Sequence, residues 1–141
     1  MCTVHTHTSL SFTFCTHVLF LHLCTVAPVV EQFVFPKNLT RGKRLRVICT
    51  VTEGDLPIDV QWRFDGVPIL SSGSGSPSGS PAGFGMDPGA RQVTLRRIDQ
   101  YTSLLAISNL DTTHAGNYSC LARNKVAQHV RSAVLTIRGQ D

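Results

Sequence analysis

The sequence lacks the short motifs by which enzymes are recognised. It contains no HExxH, no glycine-rich loop that follows a strand and opens a helix, and no Ser, His and Asp set placed by a known pattern. Cys2, His5 and His7 are metal-ligand residue types, but they fall in an N-terminal stretch that composition sets apart from the rest. Neither catalysis nor a metal or other cofactor is therefore expected. A membrane span is missing too: the most apolar run, residues 12–23, is shorter than the roughly 20 residues needed and carries His17 and His22. Thirteen Lys and Arg against nine Asp and Glu leave a formal net charge of +4, spread along the chain without the focused stripe that nucleic acid requires. Cysteine is scarce outside the N terminus. Cys2, Cys15 and Cys24 lie in the first 27 residues, and only Cys49 and Cys120 follow.

What is present fits one domain of about 100 residues with sequence to spare. Two segments stand outside it. Residues 1–27 are apolar and rich in Thr, His and Cys, with a run of the length of a leader's apolar core and the small-residue exit Thr25-Val-Ala27. They read as a secretory signal or as sequence foreign to the domain. Removing them leaves one even cysteine pair, which suits an oxidising, extracellular compartment. Residues 71–90 are a Ser/Gly/Pro tract that cannot bury enough apolar surface to offset its ordering entropy, so a disordered insertion is expected there.

Between these segments the chain reads as short strands divided by turn signals. Phe33-Val-Phe-Pro36 is the expected opening strand, confined to a sheet edge by Pro36. Leu45, Val47, Cys49 and Val51 alternate with polar and exposed positions, as a strand buried on one face does. Val60, Trp62 and Phe64 follow the same rule, and Asp65-Gly66 marks a tight turn into Val67-Pro-Ile-Leu70. Further strands are expected over residues 93–98, around Leu105, Ile107 and Leu110, around Tyr118, Cys120 and Ala122, and over residues 128–137 with Ala133, Leu135 and Ile137 inward.

Cys49, Trp62, Tyr118 and Cys120 carry the most information. A Trp on the strand after the first Cys, and a Tyr two residues before the second, resemble the pattern of the immunoglobulin fold. That resemblance implies an all-β, antiparallel sandwich of the I-set type over residues 28–138, followed by the start of a linker at 139–141. It also implies one inter-sheet disulfide, Cys49 to Cys120, packed against Trp62, with Leu105 and Ile107 in the core and Tyr118 as the tyrosine corner. A narrower likeness rests on Thr52-Glu-Gly-Asp-Leu-Pro-Ile-Asp-Val-Gln-Trp62, Ile98-Asp-Gln-Tyr-Thr-Ser-Leu-Leu105 and His114-Ala-Gly-Asn-Tyr-Ser-Cys120. These resemble the Down syndrome cell adhesion molecule (Dscam) family, its arthropod members especially. What this implies is a module of an extracellular or plasma-membrane receptor that adheres to the same receptor on another cell, with roles in axon guidance and neuronal wiring.

The chain departs from such a receptor in holding a single immunoglobulin-like segment and the Ser/Gly/Pro tract, and it reads as a fragment or partial gene product, or as secreted if complete. Where family members commonly place an Asp six residues before the second Cys, this chain has His114, expected to cap the turn between two strands. Asn38-Leu-Thr40 and Asn117-Tyr-Ser119 match the N-glycosylation pattern. The expected partners are other immunoglobulin domains. A glycan is a further possibility through Arg41, Lys43, Arg44, Arg46, Arg96 and Arg97, and a structural spacer is the competing role.

Overall fold

A computed structural model of the chain describes residues 13–18, 21–70 and 93–139. The expected Ser/Gly/Pro insertion at 71–90 and the last two residues of the expected linker lie outside the described residues.

The elements in chain order are β1 (Thr13–Val18), β2 (Leu21–Val26), β3 (Val29–Val30), β4 (Leu39–Thr40), β5 (Leu45–Glu53), β6 (Asp59–Phe64), β7 (Val67–Pro68), β8 (Val93–Arg97), β9 (Thr102–Ile107), β10 (Gly116–Arg123), β11 (Gln128–Leu135) and β12 (Ile137–Arg138). One sheet has the order β11-β10-β6-β7 and the other β3-β5-β9-β8, with antiparallel neighbours throughout. A short parallel pair, β12 with β4, closes one side. This is the expected sandwich.

Alternation decides which residues fill it. On β5, Leu45, Val47, Cys49 and Val51 are buried while Arg46 and Ile48, like Arg44 just before the strand, are exposed. Leu105 and Ile107 on β9 lie beside them in the same sheet, and Trp62 on β6 with Tyr118, Cys120 and Ala122 on β10 face them from the other. Val60, Phe64, Ala133 and Ile137 are half-buried and pack on the rim of this core.

The expected strand at residues 33–36 is corrected. No ladder forms there. The main chain instead pairs earlier, through β3 on β5, and later, through β4 on β12, and it crosses from one sheet to the other in between. Pro36 has no N–H to give a ladder. Phe33 and Phe35 nevertheless point inward with the exposed Val34 between them, and they anchor the crossing by ring contacts: Phe33 lies 5.2 Å from Trp62 and Phe35 lies 5.4 Å from Tyr118. The strand after the Asp65-Gly66 turn is shorter than expected, ending at Pro68, although Ile69 N still donates to Trp62 O. The turn itself has positive φ at both residues, +46° at Asp65 and +83° at Gly66, as a tight hairpin of this twist requires.

β1 and β2 form a separate hairpin within the segment read as a leader, and Cys24 on β2 is itself disulfide-bonded. Val26 hydrogen-bonds to the sandwich through its main chain. Its N–H donates to Asp55 Oδ2 and its carbonyl accepts from Asp55 N and from Asn124 Nδ2.

Candidate binding faces and the elements that hold them

Cys49 and Cys120 join the two sheets through a disulfide with Cα atoms 6.3 Å apart. Trp62 is 1% exposed, and its indole Nε1 donates to Ser103 Oγ at 3.1 Å, which satisfies both buried polar groups. Tyr118 donates its hydroxyl to His114 O at 2.9 Å. Burial pushes its phenol up to about 12, aided by the nearby Asp65 and Asp111 carboxylates, so it stays a neutral donor. Leu105 and Ile107 are fully buried beside these groups. All six residues serve the scaffold.

The turn before β10 is built from Asp111 and His114. Asp111 accepts from Thr113 N and from the Thr113 hydroxyl, contacts that hold its carboxyl below the usual carboxylate range. His114 Nδ1 accepts from Asp111 N at 3.1 Å, so the buried histidine caps the 3₁₀ turn Thr112–His114. Next to it, Gly116 leaves room for Phe64: a Cβ there would stand 2.5 Å from the ring edge.

Three surfaces remain for recognition. The outer face of the β11-β10-β6-β7 sheet presents Asn117, the hydroxyl pair Ser119 and Ser132 at 2.8 Å, the buried Leu121 flanked by the exposed Val130, and the facing pair Asp59 and Arg123. The outer face of the other sheet carries Arg44, Arg46, Ile48, Leu104 and Arg96. At the end of the molecule where Val26 enters, Pro57, Ile58, Asp59, Arg123, Asn124 and Lys125 line an open hollow of about 580 Å³. Asn38 and Asn117 are both exposed, Asn38 in a left-handed conformation at φ +68°.

The basic residues grouped in the sequence separate here. Arg97 does not share the face of Arg46 and Arg96. Its guanidinium turns inward and donates to the carbonyls of Ile58, Asp99 and Gln100, closing the end of the sandwich. Alternation along β8 carries the signal, since Leu95 and Arg97 share one face and Arg96 takes the other.

Two contacts went unread in the sequence. Asn124 accepts from Val126 N and Ala127 N through Oδ1, a local turn of the Asx kind, while Nδ2 reaches Val26 O and Asp55 O. His129 and Arg131, on the same face of β11 as Ala133, clamp the free edge of β3: His129 Nδ1 accepts from Val30 N at 2.8 Å, and Arg131 Nε donates to Val30 O at 3.3 Å. Only the neutral ring can accept. Burial, and then the Arg131 charge, lower the His129 pKa below the ordinary histidine value. The bond therefore contributes fully above about pH 6.5, the unfolded value, and is lost as pH falls through the lower folded one. Thermal stability should accordingly fall on acidification across that window. In His129→Asn, Oδ1 replaces Nδ1 and does not titrate, so melting curves of this variant should lose that part of the pH dependence. Identical slopes for the two proteins would remove His129 as its source.

The immunoglobulin-domain family matches residues 28–124. The chain is 38% identical over 113 residues to the human cell adhesion molecule DSCAM, and 33% identical over 113 residues to Dscam2 of Drosophila melanogaster. Each alignment covers 80% of this chain and 5% of the relative. Among solved structures, Dscam1 Ig7 domain isoform 9 superposes with a TM-score of 0.61 at 29% identity, covering 77% of this chain and 96% of that one. The human protein is the more similar of the two relatives, so the likeness extends across the group and is not particular to arthropods.

Proposed function

Because the chain belongs to the immunoglobulin domain family, we propose that it acts as one recognition module of an extracellular adhesion receptor, binding the same domain on another cell. The observation that carries this reading is the 38% identity, over 80% of the chain, to a protein named as a cell adhesion molecule. The chain spans only 5% of that relative's length, so the whole receptor's activity, including a role in axon guidance or neuronal wiring, belongs to the proposal. Nothing in this family or these relatives points to catalysis. The contact surface we assign is the outer face of the β11-β10-β6-β7 sheet. Val130 and Val134 give it exposed apolar area, and Asp59 beside Arg123 gives it opposite charges that a two-fold partner can match. On the same extracellular reading Asn38, in the turn before β4, is the N-glycan acceptor, whereas a glycan on Asn117 would cover Val134, its cross-strand partner on the contact face.

A single small domain supplies little of the roughly 1,600 Å² that a standard interface buries, so each contact should be weak and gain strength from number. Beads coated with the secreted chain should aggregate with one another at high coating density, and Asp59→Arg should suppress this. Asp59→Arg combined with Arg123→Asp should restore it by exchanging the charges. The secreted chain should also lose mass on enzymatic deglycosylation. Beads that stay dispersed at every density would leave a structural spacer as the role.

A further inference from the structure

We propose that the outer face of the β3-β5-β9-β8 sheet is a binding site for a sulfated polysaccharide, separate from the adhesion face. The central strands of this face project charge of one sign, and the exposed Glu31 stands apart at the β3 edge beside Thr50. Arg46 projects from β5, Arg96 from β8 and Arg44 from the residue before β5, all exposed, and none of their side chains makes a hydrogen bond or ion pair among the described residues. No Asp or Glu occurs in residues 32–52, in β8 or in β9. Glu53, exposed at the end of β5, has the parity opposite to Arg46 and Ile48, and Asp99, beyond β8, accepts from Tyr101 N. The other sheet differs, because its outer face mixes Asp59 with Arg63 and Arg123.

The register fixes how the cations are set. Ile48, Leu104 and Arg96 form one row across three strands, and Arg46, Ala106 and Thr94 form the next. Arg46 and Arg96 thus lie on a diagonal, two strands and two residues apart, with Ile48 and Leu104 making an apolar floor between them. Arg41 and Lys43, exposed in the turn before β5, extend the strip past Arg44. A flat face with separated guanidinium forks suits a linear chain bearing repeated anionic groups, since each fork can take a planar pair of acceptor oxygens. Thr94 and the half-buried Thr50 and Thr102 add hydroxyls that match those of a sugar. No aromatic side chain stands on these rows to stack a base, which disfavours single-stranded nucleic acid.

The experiment is binding of the full chain to immobilised heparin over a range of salt concentrations. The parent should bind at physiological ionic strength and release as salt rises. Arg46→Ser with Arg96→Ser should weaken binding about tenfold or more and lower the slope of log affinity against log salt by about two, one for each lost contact. Lys37→Ser with Lys125→Ser removes the same charge elsewhere and should change affinity less than about threefold, the modest effect of a screened distant charge. Unchanged melting temperatures confirm that both variants fold. Equal loss in the two double variants would overturn the proposal in favour of net charge alone. Equal binding to desulfated heparin or to polyglutamate would overturn the assignment of a sulfated ligand.

Discussion

Replacing Cys49 and Cys120 together by Ala should lower stability by about 2–5 kcal/mol, the usual cost of removing such a bridge from a small domain. The two residues are 71 apart in sequence, and closing a loop of that length constrains the unfolded chain by about 4 kcal/mol. A domain of this size is stable by only about 5–15 kcal/mol, so the bridge contributes a large share of the whole. Urea titration of the double variant against the parent measures the loss directly, and the slope of the transition should rise because the uncrosslinked chain exposes more surface. Substitution separates this bridge from the disulfide at Cys24, which a reducing agent would also open. A midpoint that hardly moves would mean that packing alone holds the two sheets together.

Trp62→Ala should cost about 3–5 kcal/mol, the range for deleting a buried aromatic ring. The indole fills the space between the sheets, touches the Phe33 ring and donates to Ser103, so its loss leaves both a cavity and an unpaired buried hydroxyl. Trp62→Phe separates the two effects. It keeps most of the ring volume but orphans Ser103, and it should cost less than the Ala variant while still exceeding about 1 kcal/mol. Thermal melts of both variants give the order. If Trp62→Phe were as stable as the parent, the Ser103 hydrogen bond would carry no weight.

The sandwich was largely legible because its inner face imposes a period of two, visible on β5 as Leu45, Val47, Cys49 and Val51 and on β10 as Tyr118, Cys120 and Ala122. Single-strand alternation cannot show where a chain changes sheets. For that reason an edge strand was expected over Phe33-Val-Phe-Pro36, where the chain instead crosses between the sheets with Phe33 and Phe35 turned inward and no ladder. The clamp on Val30 was equally hidden, since it depends on two edges meeting that are about 100 residues apart in sequence, and no local pattern specifies that approach. The basic face was half legible. The residues were evident, and only the register divided Arg96 from Arg97.

Trp62 is the chain's one tryptophan, and it sits where the two sheets meet. Its fluorescence therefore comes from a single place in the molecule, the centre of the core. Hydration of the space between the sheets would register in its emission, while fraying of β3 at low pH or binding at either outer face would leave it largely unchanged. Emission and far-ultraviolet circular dichroism followed together would thus distinguish opening of the core from loosening of an edge.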